Sequence, residues 1–245
     1  MSSTNETGHV KNVNNLEDLI TICTGYGAAY SPNNDDIKLP ALQNLLTNAK
    51  SELVNVNQKL SEYSIKVGER QEKYKDLKKL TTRLVNALAA SKTTGRTIEN
   101  AKAIQKKIQG IRASSVATPP PPEGNTPATE VKTNSVSQQS FGQLSEHFSK
   151  LIILLQSEPN YNPNEVELKV ATLSTLLTEM NSSNTNVMNA ANEISNARIN
   201  RNKLFYSDES CLFNCVAEVK KYVKSLYGAT SPQYKQVSGL KFTQI

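Results

Sequence analysis

The segment "ALQNLLTNAKSELVNVNQKLSEYSIKV", residues 41–67, decides the fold of this chain. Its apolar side chains recur at intervals of three and four residues, at Leu42, Leu46, Ala49, Leu53, Val56, Leu60, Tyr63 and Val67. Such spacing places them on one face of an α-helix that packs along another helix. The stripe resumes with Tyr74, Leu77, Leu80 or Thr81, Leu84 and Leu88. We expect a long helix from about residue 36, either unbroken to about residue 90 or bent near Gly68.

The same organisation occurs a second time. "YSPNNDDIKL" begins at Tyr30, and "YNPNEVELKV" begins 131 residues later at Tyr161. The ungapped match continues to about Lys92 and Val223, and its identical pairs include Tyr30/Tyr161, Pro32/Pro163, Leu42/Leu173, Leu46/Leu177, Val56/Val187, Arg70/Arg201 and Val85/Val216. Self-similarity at a fixed offset indicates a tandem duplication, here with a unit of roughly 95 residues.

Each copy is predicted to be a helical hairpin. In the second copy the apolar stripe is formed by Leu173, Leu177, Met180, Val187, Ala191 and Ile194. "FYSDES", residues 205–210, interrupts this stripe and offers Ser207 as the N-cap of a second helix that ends at Gly228. By analogy between the copies, we expect a turn near residues 75–77 of the first.

We therefore predict an all-α, elongated helical bundle built from two tandem helical-hairpin repeats with a pseudo-two-fold relation. Residues 1–14 form a disordered tail, residues 15–112 the basic repeat A, and residues 141–245 repeat B with an extended C-terminal tail. Residues 113–140 contain "TPPPPEGNTPATE" and read as a Pro/Ser/Thr-rich linker. Packing both stripes in one bundle is the economical arrangement, and pairing with another chain is the alternative.

Charge and composition narrow the function classes. The net charge is +6, and residues 30–112 hold 16 basic and 8 acidic residues against 10 and 9 in residues 141–245. No apolar run approaches the roughly 18 residues of a membrane span, so we expect no membrane insertion. The start of the sequence shows no secretory signal pattern. Three cysteines do not suggest a secreted disulfide framework, and we expect a cytoplasmic protein.

The Tyr-x-Pro-Asn stretches are interpreted as helix starts. Asn33 precedes Asp36 by three residues, as Asn164 precedes Glu167, and this is the spacing of a reciprocal helix cap. A cation site is the alternative, because "SPNNDD" is rich in oxygen ligands. The stretch lacks the spacing of a calcium loop, so capping is the stronger reading.

Candidate chemistry is sparse. Cys211 and Cys215 share a helix face at a spacing that metal ligands use, but both align with leucines of the apolar stripe and are interpreted as buried thiols. The two histidines, His9 and His147, are not placed to complete a site. No phosphate loop, nucleophile elbow or metalloprotease motif is present, so we predict no enzyme activity, no metal and no cofactor.

Basic residues of the first copy could form a phosphate-contacting face. They are Lys66, Arg70, Lys73, Lys78, Lys79, Lys106, Lys107 and Arg112. Against this function, Glu69, Glu72 and Asp76 are interleaved with them, as on an ordinary solvated helix face. Nucleic-acid binding through this face is the second functional hypothesis.

The stretches "NARINRNKLFY" (residues 196–206) and "ATSPQYKQVSGLKF" (residues 229–242), with "YNPNEVELKV", resemble a group of uncharacterised, tandem-duplicated small helical proteins from Bacteroidota-type bacteria. The resemblance implies a bacterial helical protein with paired repeats and transfers no functional residues. We expect a non-enzymatic structural or protein-interaction protein, a self-assembling subunit in the simplest case, which contacts itself or another protein through helical faces.

Overall fold

A computed structural model describes residues 6–111 and 139–245, and every regular element in these two ranges is helical. The α-helices are α1 (Thr7–Gly25), α2 (Leu39–Tyr74), α3 (Leu77–Ala90), α4 (Gly95–Gln109), α5 (Phe141–Ser157), α6 (Val170–Asn202), α7 (Leu212–Tyr227) and α8 (Pro232–Gly239). Short 3₁₀ turns cover Gly27–Ala29, Asp35–Ile37 and Val166–Leu168, and a π-helical turn covers Lys203–Ser207.

The long helix of the first copy runs through Gly68 without a break and ends at Tyr74. Both alternatives for this helix are therefore wrong, the break near Gly68 and the unbroken helix to about residue 90, whereas the turn expected near residues 75–77 is present between α2 and α3. In the second copy Ser207 lies in the π-helical turn, and the N-cap of α7 is Cys211. The π-helical turn carries the preceding helix through Ser207, and a turn over residues 208–211, closed by the Cys211 N–H donating to the Asp208 carbonyl at 3.0 Å, then precedes α7.

The predicted tail and linker differ from the structure in part. Residues 7–14 belong to α1, where His9, Asn12 and Val13 are buried, so they are not a disordered tail. Although this segment is polar in composition, apolar side chains from elsewhere in the chain pack against it and stabilise the helix. Of the predicted linker, only residues 139–140 are described, and Ser140 is the N-cap of α5. After α8 the chain continues without regular structure through residues 240–245, as expected of the tail.

The predicted helix caps are shifted. The first copy starts with a 3₁₀ turn whose N-cap is Asn34, and the Asn34 side chain accepts a hydrogen bond from the Asp36 backbone N–H at 3.0 Å. Asn33 is not the cap, because the first turn is 3₁₀ and begins one residue later. In the second copy Glu165 is the N-cap and makes no side-chain capping bond, so the capping role predicted for Asn164 is also wrong. Asp36 and Glu167 do lie in these first turns.

The chain divides into two compact units that do not coincide with the predicted domains 15–112 and 141–245. The first unit consists of residues 1–64 and 189–245, and the second of residues 65–188. Each unit therefore combines the front part of one predicted copy with the back part of the other. Within each unit, helices of one predicted copy pack with helices of the other.

The first unit is packed around apolar side chains from α1, α2 and α7. Its buried core includes Leu16, Leu19, Leu42, Phe205, Leu212, Val219 and Val237. Within this unit Tyr30 donates a hydrogen bond from its hydroxyl to the Ile37 carbonyl at 2.7 Å. This bond closes the connection between α1 and α2, which positions both helices against α7.

The second unit is packed around equivalent elements. Its core includes Leu77, Leu84, Leu88, Phe148, Leu151, Leu173 and Met180, and α4 packs against both α3 and α5. Tyr161, 131 residues after Tyr30, donates from its hydroxyl to the Leu168 carbonyl at 2.9 Å. The same hydrogen bond therefore precedes the long helix in both copies.

Candidate functional site

The basic residues predicted to contact phosphates are distributed over three helices of the second unit. Lys66 pairs with Glu69 at 2.9 Å, Lys73 with Glu179 at 2.7 Å, and Lys79 with Asp76 at 3.3 Å. In each of these pairs a carboxylate beside the ammonium group offsets its positive charge, as on an ordinary solvated surface.

Two further members of the predicted face have other partners. The guanidinium of Arg70 lies 4.2 Å from the centre of the Phe141 ring, and the Lys78 ammonium donates to the Gln109 carbonyl at 3.3 Å. Lys106 and Lys107 are exposed in the last turn of α4, with no ion pair to any residue of the described ranges. Arg112 lies outside the described residues. The structure thus leaves one short basic patch from the predicted face.

A groove that sequence reasoning missed lies in the first unit. We call residues 240–245 the strap, and the side chains of Asn12, Asn15, Phe213 and Lys220 that contact it the strap groove. Asn12, on α1, donates from Nδ2 to the Thr243 carbonyl at 2.8 Å, and its Oδ1 accepts from the Thr243 N–H at 3.0 Å. The amide thus pairs with both polar groups of one peptide residue, as a neighbouring β-strand would.

The remaining groove contacts also reach the strap backbone. Asn15 donates to the Lys241 carbonyl at 2.6 Å, and the Lys220 ammonium donates to the Leu240 carbonyl at 2.6 Å. The side chain of Phe242 is half-buried, with its ring 6.3 Å from that of Phe213 and 5.3 Å from the Lys220 ammonium. Burial lowers the pKa of Lys220 from its ordinary value. The groove therefore holds an extended backbone and one aromatic side chain.

A buried polar cluster lies beside the strap groove in the same unit. Arg201 is almost fully buried and pairs with Glu6, while Nδ1 of His9 lies 2.9 Å from the Tyr206 hydroxyl. Burial, reinforced by the nearby Arg201 charge, lowers the pKa of His9, and Glu6 opposes this shift. The neutral imidazole is thus the form that the folded unit favours.

The second unit contains an apolar counterpart of this cluster. Arg70 is the residue 131 positions before Arg201, and it stacks on Phe141. Phe205 meets His9 edge to face at 5.7 Å, and Tyr74, 131 positions before Phe205, meets Phe141 edge to face at 4.8 Å. The two arginines therefore occupy matching surroundings, with a histidine in one unit where the other has a phenylalanine.

The cysteines are buried, as expected for Cys211 and Cys215, and Cys23 is buried with them. Burial raises the pKa of the Cys23 and Cys215 thiols to about 11. Because the thiolate is the reactive form, these two groups are poor nucleophiles at neutral pH. Within residues 6–111 and 139–245, no cluster of His, Cys, Asp and Glu side chains could hold a metal ion.

Comparisons with known proteins identify no relative: no family model, curated protein or solved structure matches the chain. None of the described helices is both long and apolar enough to span a membrane. The strap groove could not have been found from the sequence, because Asn12 and Asn15 contact backbone atoms and have no pattern of their own. Only the aromatic Phe242 in a polar tail gave any signal.

Proposed function

We propose that this chain is a non-enzymatic helical structural or protein-interaction protein, a self-assembling subunit that contacts a second copy through its helical faces. The observation that supports this proposal is a set of large apolar side chains on the two long helices that are exposed to solvent. Val54 of α2 and Ile199 of α6 are 54% and 59% exposed in the first unit. Ile65 of α2 and Met188 of α6 are 56% and 66% exposed in the second.

These exposed side chains are turned away from the core. Val54 precedes the buried Val56 by two positions, which is about 200° around the helix. In the first unit Lys59 and Glu193 join α2 to α6 at 2.8 Å, with Val54 five residues before Lys59 and Ile199 six residues after Glu193. Scattered apolar residues are ordinary on surfaces. Here each unit has one such side chain on α2 and one on α6, and this recurrence favours an interface between two copies of the chain.

Light scattering and chemical cross-linking of the full chain test self-assembly. We expect association at tens of micromolar, and we expect the double substitution Val54→Lys and Ile199→Lys to shift the protein toward monomer, since a buried unpaired charge opposes association. Asn57→Lys with Asn200→Lys is the matched control, because it adds the same charge at exposed polar positions of the same helices. A strict monomer at these concentrations would exclude the proposal.

The finer architecture belongs to the same proposal. The duplication into two tandem hairpin repeats is supported by the 3₁₀ turns Asp35–Ile37 and Val166–Leu168, and by α2 and α6, which begin 131 residues apart. The matching hydrogen bonds of Tyr30 and Tyr161 support it further. We also propose a cytoplasmic location and a bacterial origin. Free, buried cysteines are compatible with a reducing compartment.

Nucleic-acid binding is the second candidate. Its support is an exposed patch on α4 formed by Lys102, Lys106 and Lys107, without ion pairs to the described residues. A salt series with the full chain on duplex DNA tests it. Lys106→Gln with Lys107→Gln should reduce the salt slope by about two counterions, whereas Lys221→Gln, an exposed lysine of α7, should change it less. An unchanged slope would count against this candidate.

A further inference from the structure

The strap groove binds a polypeptide backbone rather than a particular side-chain sequence. All four of its short polar contacts end on backbone atoms of Leu240, Lys241 and Thr243. Hydrogen bonds to backbone atoms supply affinity for an extended segment, and pockets for alternate side chains supply selectivity. In this groove the selective contact is the Phe242 ring against Phe213 and Lys220.

Although the strap makes several specific hydrogen bonds, most of its residues are exposed. Leu240 and Phe242 are half-buried, and the other four residues of the strap are exposed. It therefore buries little apolar surface, and segments of this kind open at a small fraction of the global free energy of unfolding. Asn12, Asn15 and Lys220 lie on α1 and α7, so the backbone that carries the groove belongs to regular helices and not to the strap.

We propose that the strap groove is a receptor for an extended segment supplied by a second copy of this chain, and that the chain's own strap closes the groove when no second copy is present. The proposal rests on the proposed self-assembly and names the segment that carries it. A second copy offers the same residues 240–245, so exchange replaces every contact within one chain by the identical contact between chains.

Whether the groove holds the chain's own strap or the strap of a second copy depends on local concentration. A segment tethered by a short flexible connection acts at an effective concentration of about millimolar. The chain's own strap therefore keeps the groove closed in dilute solution. Inside an assembly, where copies lie side by side, the strap of a neighbour reaches a comparable concentration and competes with the chain's own strap for the groove.

Two full-length variants separate the two roles of the chain. The acceptor carries Phe242→Ala with Thr243→Pro, which removes the aromatic anchor and the N–H that Asn12 accepts from, so its groove is open. The donor carries Asn12→Ala, which leaves the strap intact and weakens the groove. A second donor, Asn15→Ala with Lys220→Met, covers the case in which the buried Asn12 is needed for folding.

The measurements are fluorescence anisotropy with a labelled peptide of sequence LKFTQI, residues 240–245, and sedimentation of the mixed variants. We expect the acceptor to bind the peptide about tenfold more tightly than the donor does, which is the loss expected for the Asn12 hydrogen bonds. At concentrations below those at which the helical faces associate, we expect acceptor and donor to form a 1:1 complex when mixed, and neither variant to associate with itself.

Three results would overturn the proposal. The first is a folded acceptor, checked by circular dichroism, that binds neither peptide nor donor. Equal peptide binding by donor and acceptor would show that contact is non-specific. Peptide binding without an acceptor and donor complex would exclude a second copy as the source. If the wild-type chain still assembles in any of these cases, the proposed self-assembly stands and only the role of the strap is lost.

Discussion

At the scale of single residues, two arginines that lie 131 positions apart are accommodated by different neighbours. Arg70 rests on an aromatic ring, whereas its counterpart Arg201 pairs with Glu6 beside His9. A buried arginine loses water contacts, and this loss has to be offset by an opposite charge or by other favourable contacts. The second unit meets this requirement with the face of Phe141 and the first unit with the Glu6 carboxylate, which places the titratable His9 imidazole in the same cluster as this ion pair.

The lowered pKa of His9 predicts a pH dependence of stability. Its folded-state pKa lies below the unfolded value of about 6.5, so the unfolded chain binds the proton more tightly. The contribution of His9 to stability is therefore fully present above that value and is lost as the pH falls through the folded pKa. Substitution His9→Phe, which installs the residue found at position 141, should flatten the dependence.

Urea unfolding midpoints at pH 7.5 and pH 5.0 measure this effect. His147 provides the comparison in the second unit, because burial and the charges of Lys107 and Lys150 lower its pKa while Glu146 opposes them. The variants His9→Phe and His147→Phe should each remove part of the loss seen in the wild-type chain. If His9→Phe has the same pH dependence as the wild type, then His9 does not contribute to that dependence and the assignment is wrong.

At the scale of elements, glycine is required at the end of one helix and is not required in the interior of another. Gly110 ends α4 in the left-handed conformation, with φ of 76°, and its N–H donates to the last turn of the helix. Gly68 lies in the interior of α2 with no atom near the place of a β-carbon. Only the first of these positions requires a glycine, since a left-handed backbone is costly for other residues.

The two positions form a matched pair of substitutions. Gly68→Ala should stabilise the chain by about 0.5–1 kcal/mol, because alanine favours the helix and restricts the unfolded chain. Gly110→Ala should destabilise it by about 1 kcal/mol or more, since its β-carbon would also come within 2.9 Å of the Gln139 side chain. Thermal melts of both variants measure the difference, and a shift of the same sign for both would refute this assignment of α2 and α4.

At the scale of the whole molecule, each compact unit depends on both halves of the sequence. The first core contains Leu19 and Leu42 from the first half, and Leu212 and Val219 from the second. The second core combines Leu84 and Leu88 with Phe148 and Leu173. Neither half carries a complete core, so a single half cannot bury its apolar stripes alone.

Cutting the chain tests this dependence. Fragments 1–124 and 125–245 should each fail to give a cooperative thermal transition as a monomer, and mixing them should restore helical circular dichroism in a 1:1 complex. The full chain with a protease site inserted at the same position is the control, and it should stay folded after cleavage. A cooperatively folded monomer of either fragment would contradict the division into units.

The sequence was sufficient for local structure and insufficient for assembly. The stripe from Leu42 to Val67 follows from periodicity, which the chain encodes locally, whereas the break near residue 75 was expected only by analogy with the second copy. The apolar stripes do not specify whether α7 packs against α1 or against the helices of its own repeat. This choice depends on how well helix faces that are distant in the sequence complement each other. The strap groove was hidden for a related reason: Asn12 lies in a polar segment, and its burial depends on residues 231 positions away.

The mixing of copies within each unit also bears on how such a chain could have evolved. With the duplication proposed above, a single ancestral copy would have held the front of one core and the back of another. Two such copies would have completed both cores by reciprocal exchange, as an obligate homodimer. Joining the genes end to end would then have fixed the partners in one polypeptide, and each half became free to diverge, as His9 and Phe141 have.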